Sequence, residues 1–117
     1  MSVPPPPSHR LLAVLLATYA DSSRRSDDFV DVQSALLSAV ERGDSAALFL
    51  MSDGVRYALD PRLPPLIAVG VEVSLCAMDA EAQGLDPAAI SALGIELGSQ
   101  HDHARLLRDA QHFLSWT

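Results

Sequence analysis

The residue best suited to chemistry is Cys76, the only cysteine among the 117 residues of the chain. It follows the strand-like run Val71–Leu75 and comes just before a helix-like run that begins at Ala77. Open α/β sheets hold their binding and reacting groups at such junctions, where a strand ends and a helix begins. A lone thiol has no partner for a disulfide within the chain. Cys76 is therefore either an inert buried residue or a reactive one.

The residues that follow Cys76 affect its reactivity in opposite directions. A helix amino end with free N–H groups, which Ala77 and Met78 would supply, favours the nucleophilic thiolate. Asp79 and Glu81 disfavour the thiolate if their carboxylates point toward the sulfur. Isolated cysteines are more often small buried apolar residues than nucleophiles, so the residues alone leave both interpretations open.

Two histidines are candidate partners for the thiol. His101 or His103 could complete a Cys–His hydrolase or acyltransferase, because catalytic partners need not be close in sequence. The run His101-Asp-His103 also has the composition of a metal site. However, histidines two residues apart do not share a helix face, and no third ligand is evident. We therefore expect no metal, and we interpret this run as the solvated start of a helix.

The composition limits the function classes. A content of 49% hydrophobic and 20% charged residues is typical of a globular protein, and the length suits one domain. The net charge of −7 disfavours binding to nucleic acid or to an anionic membrane. The absence of lysine excludes Schiff-base and P-loop chemistry, and no nucleotide-binding motif is present.

The cysteine usage and the amino-terminal apolar run bear on localisation. A single cysteine fits a protein of the reducing cytoplasm. The run Leu11–Ala20 follows Arg10, but its apolar part is short and little positive charge precedes it. We therefore interpret it as a buried strand rather than a secretory signal, and we expect no membrane association.

Regular elements are expected from Leu11 onward. Residues 1–9 contain four consecutive prolines and are predicted to form a disordered tail, which leaves residues 10–117 as a single domain. Apolar runs predict five strands, at Leu11–Thr18, Ala46–Met51, Val71–Leu75, Ile95–Leu97 and His112–Trp116. Helical spacing, caps and breakers predict helices from Ser26 to Arg42, after Val55, and at Leu63–Val69, Ala77–Gln83, Asp86–Leu93 and His101–Ala110.

Alternating strands and helices indicate a parallel sheet covered on both faces. The carboxyl ends of parallel strands meet at one edge, so three loops should converge there, Tyr19–Arg25, Ser52–Val55 and Cys76–Asp79. Asp53-Gly54 is a generic turn signal, with a weaker interpretation as residues that shape the mouth of the site.

The order of these signals resembles that of the DsrE/TusD-type (DsrE/DsrF-like) sulfur-relay family across nearly the whole chain after the tail. The matching runs, each quoted in one-letter code, are LFLMSDGV ending at Val55, GVEVSLC ending at Cys76, QGL ending at Leu85 and IELGS ending at Ser99. In that family the cysteine at the strand end is the sulfur carrier, and Cys76 occupies its position.

The resemblance implies an α/β fold, a three-layer α/β/α sandwich with a five-stranded parallel sheet. It also implies that Cys76 accepts sulfane sulfur as a persulfide without any cofactor. The expected partners are sulfur donor and acceptor proteins, and the expected assembly is a homotrimer or hexamer.

A second hypothesis places a non-catalytic oligomeric subunit or a binding module on the same fold. Assembly, which both hypotheses allow, has sequence support in an apolar stretch formed by Val55, Tyr57, Leu59 and Leu63, which could cover either a neighbouring subunit or the chain's own sheet. An unreactive, buried Cys76 would favour this hypothesis.

Overall fold

Five parallel strands form one sheet in the computed structural model, which describes residues 10–20 and 28–117. The predicted tail, most of the first loop and the predicted cap Ser26 lie outside the described residues. The strand order is β4-β3-β2-β1-β5, which puts the apolar β1 and β2 in the interior, as their continuous hydrophobicity requires. The strands are β1 (Leu11–Leu16), β2 (Ser45–Leu50), β3 (Glu72–Cys76), β4 (Glu96–Gly98) and β5 (His112–Trp116).

The connecting helices are short apart from the first and the last, and their caps follow the sequence. Asp86 caps α4 by accepting a hydrogen bond from the backbone N–H of Ala88 at 3.1 Å, and Pro87 is the first helical residue. No described helix has the length and apolar character that crossing a bilayer would need. The helices are α1 (Asp28–Glu41), a 3-10 helix (Ser52–Leu59), α2 (Leu63–Ala68), α3 (Ala77–Ala82), α4 (Pro87–Ala92) and α5 (Gln100–Asp109).

The direction of the crossovers makes the two outer layers unequal. Strands β1 to β4 step across the sheet in one direction, so right-handed connections put α1 to α4 on one face. The connection from β4 to β5 returns across the sheet and puts α5 on the other face. The fold is thus the expected three-layer α/β/α sandwich. Its second face has a smaller core of buried residues, which are Ala13, Leu15, Ala47, Phe49, Cys76 and Leu106.

The apolar stretch considered for subunit contacts packs mainly inside its own chain. Val55, Tyr57 and Leu63 are fully buried in the larger core, whereas Leu59 is 58% exposed. The 3-10 helix that carries this stretch begins at Ser52, four residues earlier than the predicted start after Val55. Three of the four residues therefore cover the chain's own sheet.

Candidate functional site

Cys76 is the last residue of β3 and the N-cap residue of α3. Its extended backbone, with φ −71° and ψ 115°, directs the chain from the strand into the helix. The residue is only 5% exposed, and no described residue forms a hydrogen bond with its Sγ. The position at a strand end is thus the one predicted, and the thiol is more buried than a freely accessible nucleophile would be.

A cavity of about 300 Å³ opens beside the cysteine. This volume lies at the lower end of the range found for small-molecule sites. Two sequence segments supply the wall, one at the β3–α3 junction and the other at the β4–α5 junction. The structure therefore brings the predicted residues Cys76, Ala77 and Met78 together around one space. The full lining is Cys76, Ala77, Met78, Asp79, Gly98, Ser99 and Gln100.

The far wall of the cavity is built on a glycine and a helix cap. Gly98 pairs with Cys76 in the sheet, so no side chain stands next to the cysteine on β4. A Cβ atom at Gly98 would lie 2.7 Å from Oδ2 of Asp102. That carboxylate accepts a hydrogen bond from the backbone N–H of Ser99 at 2.7 Å, while Ser99 Oγ accepts one from the N–H of His101 at 3.2 Å. This capping box holds the β4–α5 loop against the site.

Asp79 connects the cavity to the loop that follows β2. Its Oδ2 accepts a hydrogen bond from the backbone N–H of Ser52 at 2.7 Å. Ser52 has a positive φ of 51°, a conformation that is unusual for a serine and that this contact helps to fix. The other predicted carboxylate, Glu81, is exposed and does not line the cavity. Two of the three predicted loops thus meet at this edge of the sheet.

Asp53 and Gly54 lie behind the cavity rather than in its wall. Asp53 Oδ1 accepts a hydrogen bond from Nε2 of Gln83 at 3.2 Å, which ties the 3-10 helix to the end of α3. Gly54 packs so closely on β1 that a Cβ atom there would lie 2.0 Å from the carbonyl oxygen of Leu16. Their influence on the mouth of the site stays a prediction. Any such influence would act through the position of the 3-10 helix.

The described part of the first loop packs against Tyr57, in the larger of the two cores. The ring of Tyr19 lies 4.8 Å from that of Tyr57, and the backbone N–H of Ala20 donates to the Tyr57 hydroxyl at 3.1 Å. Residues 21–25 of this loop lie outside the described residues. Three residues of the cavity wall, Gly98, Ser99 and Gln100, were not among those predicted for the site. The spacing of Ser99 and Asp102, which is that of a capping box, was the available signal for this loop.

The histidines do not complete a catalytic pair with the thiol. The His103 ring stacks on Phe49 at 5.8 Å and lies 6.2 Å from the ring of Phe113, while His101 is exposed. Neither histidine forms a hydrogen bond with Cys76. Within residues 10–20 and 28–117, no group of three or more histidine, cysteine and carboxylate side chains is arranged to hold a metal ion. The described site therefore offers one nucleophile beside a small cavity.

Comparison with solved structures identifies the fold in other proteins. A conserved protein of unknown function from Bacteroides thetaiotaomicron superposes with a TM-score of 0.72 at 19% identity, over 91% of this chain and 94% of that one. The YchN protein of E. coli superposes with a TM-score of 0.66 at 22% identity, over 92% of this chain and 99% of that one. Neither protein-family profiles nor the curated proteins give a match. These likenesses establish the fold alone.

Proposed function

We propose that this protein is a sulfur-relay protein that carries sulfane sulfur as a persulfide on Cys76 and passes it to a partner thiol. The main support is that the only cysteine of the chain ends β3 beside a cavity of about 300 Å³. The cavity gives a reactant a route to a sulfur atom that is otherwise almost wholly buried. The sequence resemblance to the DsrE/TusD-type family, whose carrier cysteine has this position, supports the same function.

The chemistry needs one thiol per protein and no cofactor. The Cys76 thiolate attacks the outer sulfur of a donor persulfide, so that a new Sγ–S bond forms, the donor's S–S bond breaks and the donor leaves as a thiolate. An acceptor thiolate then attacks the outer sulfur held on Cys76, and the Cys76 thiolate is released. The two exchanges move one sulfur atom with no net oxidation or reduction.

The proposed partners are a sulfur donor protein and a sulfur acceptor protein in the cytoplasm, and the proposed assembly is a homotrimer or hexamer. Leu59, Leu107 and Leu114 are large apolar side chains that the single chain leaves exposed. Such side chains are suited to contacts between copies, and light scattering in solution would measure the assembly.

The proposal is tested by offering the purified protein cysteine persulfide and measuring its intact mass. We expect wild type to gain the mass of one sulfur atom, and the Cys76→Ser variant to gain none. Subsequent addition of an acceptor thiol should remove the added sulfur. A wild-type protein that stays unmodified with every donor offered would contradict the proposal.

The second candidate function is a non-catalytic oligomeric subunit or a small-molecule or protein-binding module. The observation in its favour is the 5% exposure of Cys76, because a buried thiol reacts slowly. The rate of Cys76 alkylation distinguishes the relay protein from the non-catalytic subunit or binding module. A rate close to that of a cysteine in an unstructured peptide favours the relay. A rate lower by about a thousandfold, as expected if reaction requires the protein to open, favours the binding module.

A further inference from the structure

The side chains that line the cavity beside Cys76 carry a net negative charge. None of its lining residues is basic, and Asp79 is its only charged one. Ser99 and Gln100 are polar and uncharged, and Met78, which is 80% exposed, supplies an apolar side chain. An anion that entered this space would meet a carboxylate and no basic side chain, and the only partial positive charges there belong to the amino ends of α3 and α5.

The surroundings of the cavity strengthen this negative bias. The carboxylate of Asp102 lies directly behind Gly98. Two arginines of neighbouring elements are engaged elsewhere, since Arg105 pairs with Glu72 at 3.4 Å and Arg56 Nε donates to Gln83 Oε1 at 3.0 Å. The net charge of the whole chain, −7, adds to the repulsion of anions.

We propose that this cavity admits small uncharged or cationic sulfur compounds to Cys76 and repels anionic ones. The inference rests on the proposed function and specifies which low-molecular-weight persulfides Cys76 accepts besides a donor protein, namely those whose organic part carries no net negative charge. The persulfides of a simple aminothiol and of zwitterionic cysteine fit this class, whereas the persulfide of a thiol whose only charged group is a carboxylate does not.

Two alkylating reagents test the charge selection without any persulfide. Iodoacetamide is neutral and iodoacetate is anionic. With either, the Cys76 thiolate displaces iodide from a CH₂ group and forms an Sγ–C bond. The rate ratio of the two reagents is compared with the ratio for a cysteine in an unstructured peptide. At low salt, we expect the ratio of the iodoacetamide rate to the iodoacetate rate to be about fivefold higher for the protein than for the peptide. The excess should shrink at high salt, where surface charges are screened.

Two variants test whether the cavity lining causes the selection between neutral and anionic reagents. Asp79→Asn removes the one lining charge and keeps an oxygen that can accept the Ser52 N–H, while Gln100→Arg adds a cation to the lining. Both should move the ratio toward that of the peptide. The matched control is Ser34→Arg, which adds the same charge at an exposed position of α1, on the other face of the sheet. Circular dichroism confirms that each variant is folded.

The outcomes separate this inference from the proposed function. A wild-type ratio equal to that of the peptide overturns the charge selection, and so does an equal shift in Ser34→Arg and Gln100→Arg. Persulfide loading is then compared for two donors, the persulfide of cysteamine, whose organic part is cationic, and the persulfide of mercaptopropionate, whose organic part is anionic. Equal loading by both contradicts the selection and leaves the relay standing. Loading by neither contradicts the relay, while the alkylation ratio still tests the cavity.

Discussion

Gly98 lies directly opposite Cys76 in the parallel pairing of β3 with β4, so the two residues face the same side of the sheet. Because Gly98 has no side chain, the space next to the sulfur stays open and becomes part of the cavity. The carboxylate of Asp102 borders this space, 2.7 Å from the place that a Cβ atom of residue 98 would take, and caps the next helix. One backbone position thus serves both the opening beside the thiol and the start of α5.

The Gly98→Ala variant should slow the alkylation of Cys76. The added methyl group narrows the cavity and displaces the Asp102 carboxylate, so we expect the iodoacetamide rate to fall about tenfold. Weakening of the cap should lower the free energy of unfolding by about 1 kcal/mol. The control is Asp102→Ala, which removes the same cap without adding an atom beside Cys76, so its alkylation rate should not fall. Equal alkylation rates in the two variants would show that Gly98 does not control access.

The Gly54→Ala variant should be severely destabilised. Its Cβ atom would lie 2.0 Å from the carbonyl oxygen of Leu16 and 2.8 Å from the carbonyl carbon, and backbone atoms cannot move aside as a side chain can. We expect the free energy of unfolding to fall by more than about 3 kcal/mol in a urea titration. Gly43→Ala is the matched control. Gly43 has open space around it and a φ of 83°, so alanine there should cost only about 1 kcal/mol of backbone strain. Equal losses in both variants would contradict the close packing of Gly54 on β1.

The ion pair of Asp60 and Arg62 should make stability depend on acid pH. Hydrogen bonds from the Arg62 side chain, first of all, and its backbone N–H hold the pKa of the Asp60 carboxyl below its ordinary value, despite partial burial. Since the folded pKa is depressed, the stabilisation is complete above the pKa of the unfolded chain. It is lost as the pH falls toward and through the folded pKa.

The Asp60→Asn variant tests this dependence. We expect it to lower the free energy of unfolding by about 1 kcal/mol at neutral pH, the size typical of a partly exposed pair. The difference from wild type should vanish in strong acid, where Asp60 is protonated in both states. Urea titrations of both proteins across the acid range measure it. A difference that stays constant with pH would contradict the role of the carboxylate charge.

The His103→Phe variant should load persulfide at a rate within about twofold of wild type. Phenylalanine keeps a ring against Phe49 and removes the imidazole, which forms no hydrogen bond with Cys76. A histidine that acts as general base contributes about a hundredfold or more to a rate, so a loss of that size would support a Cys–His enzyme instead. Stopped-flow measurement of loading, with circular dichroism to verify folding, separates the two.

The sequence predicted the strands and the place of Cys76 because both depend on local signals. Buried apolar runs end at glycine, proline or a polar residue, and the observed strand ends differ from the predicted ones by at most two residues. The predicted end of β1 at Thr18, for example, is observed at Leu16. Parallel topology then places Cys76 at the edge of the sheet where ligands bind.

The second wall of the cavity could not be predicted in the same way. Gly98 comes next to Cys76 only because β4 pairs with β3, a contact across more than twenty residues that no local pattern encodes. The unequal layers likewise follow from the order in which the strands pair, which places α5 by itself on the face that carries Cys76. The hydrogen bond from Ser52 to Asp79 also depends on tertiary contact.

Intact mass after exposure to cysteine persulfide decides whether Cys76 carries sulfur. Wild type should gain the mass of one sulfur atom, an acceptor thiol should remove it, and Cys76→Ser should gain nothing. A wild-type mass that no persulfide donor changes, or an equal gain in Cys76→Ser, would contradict the relay.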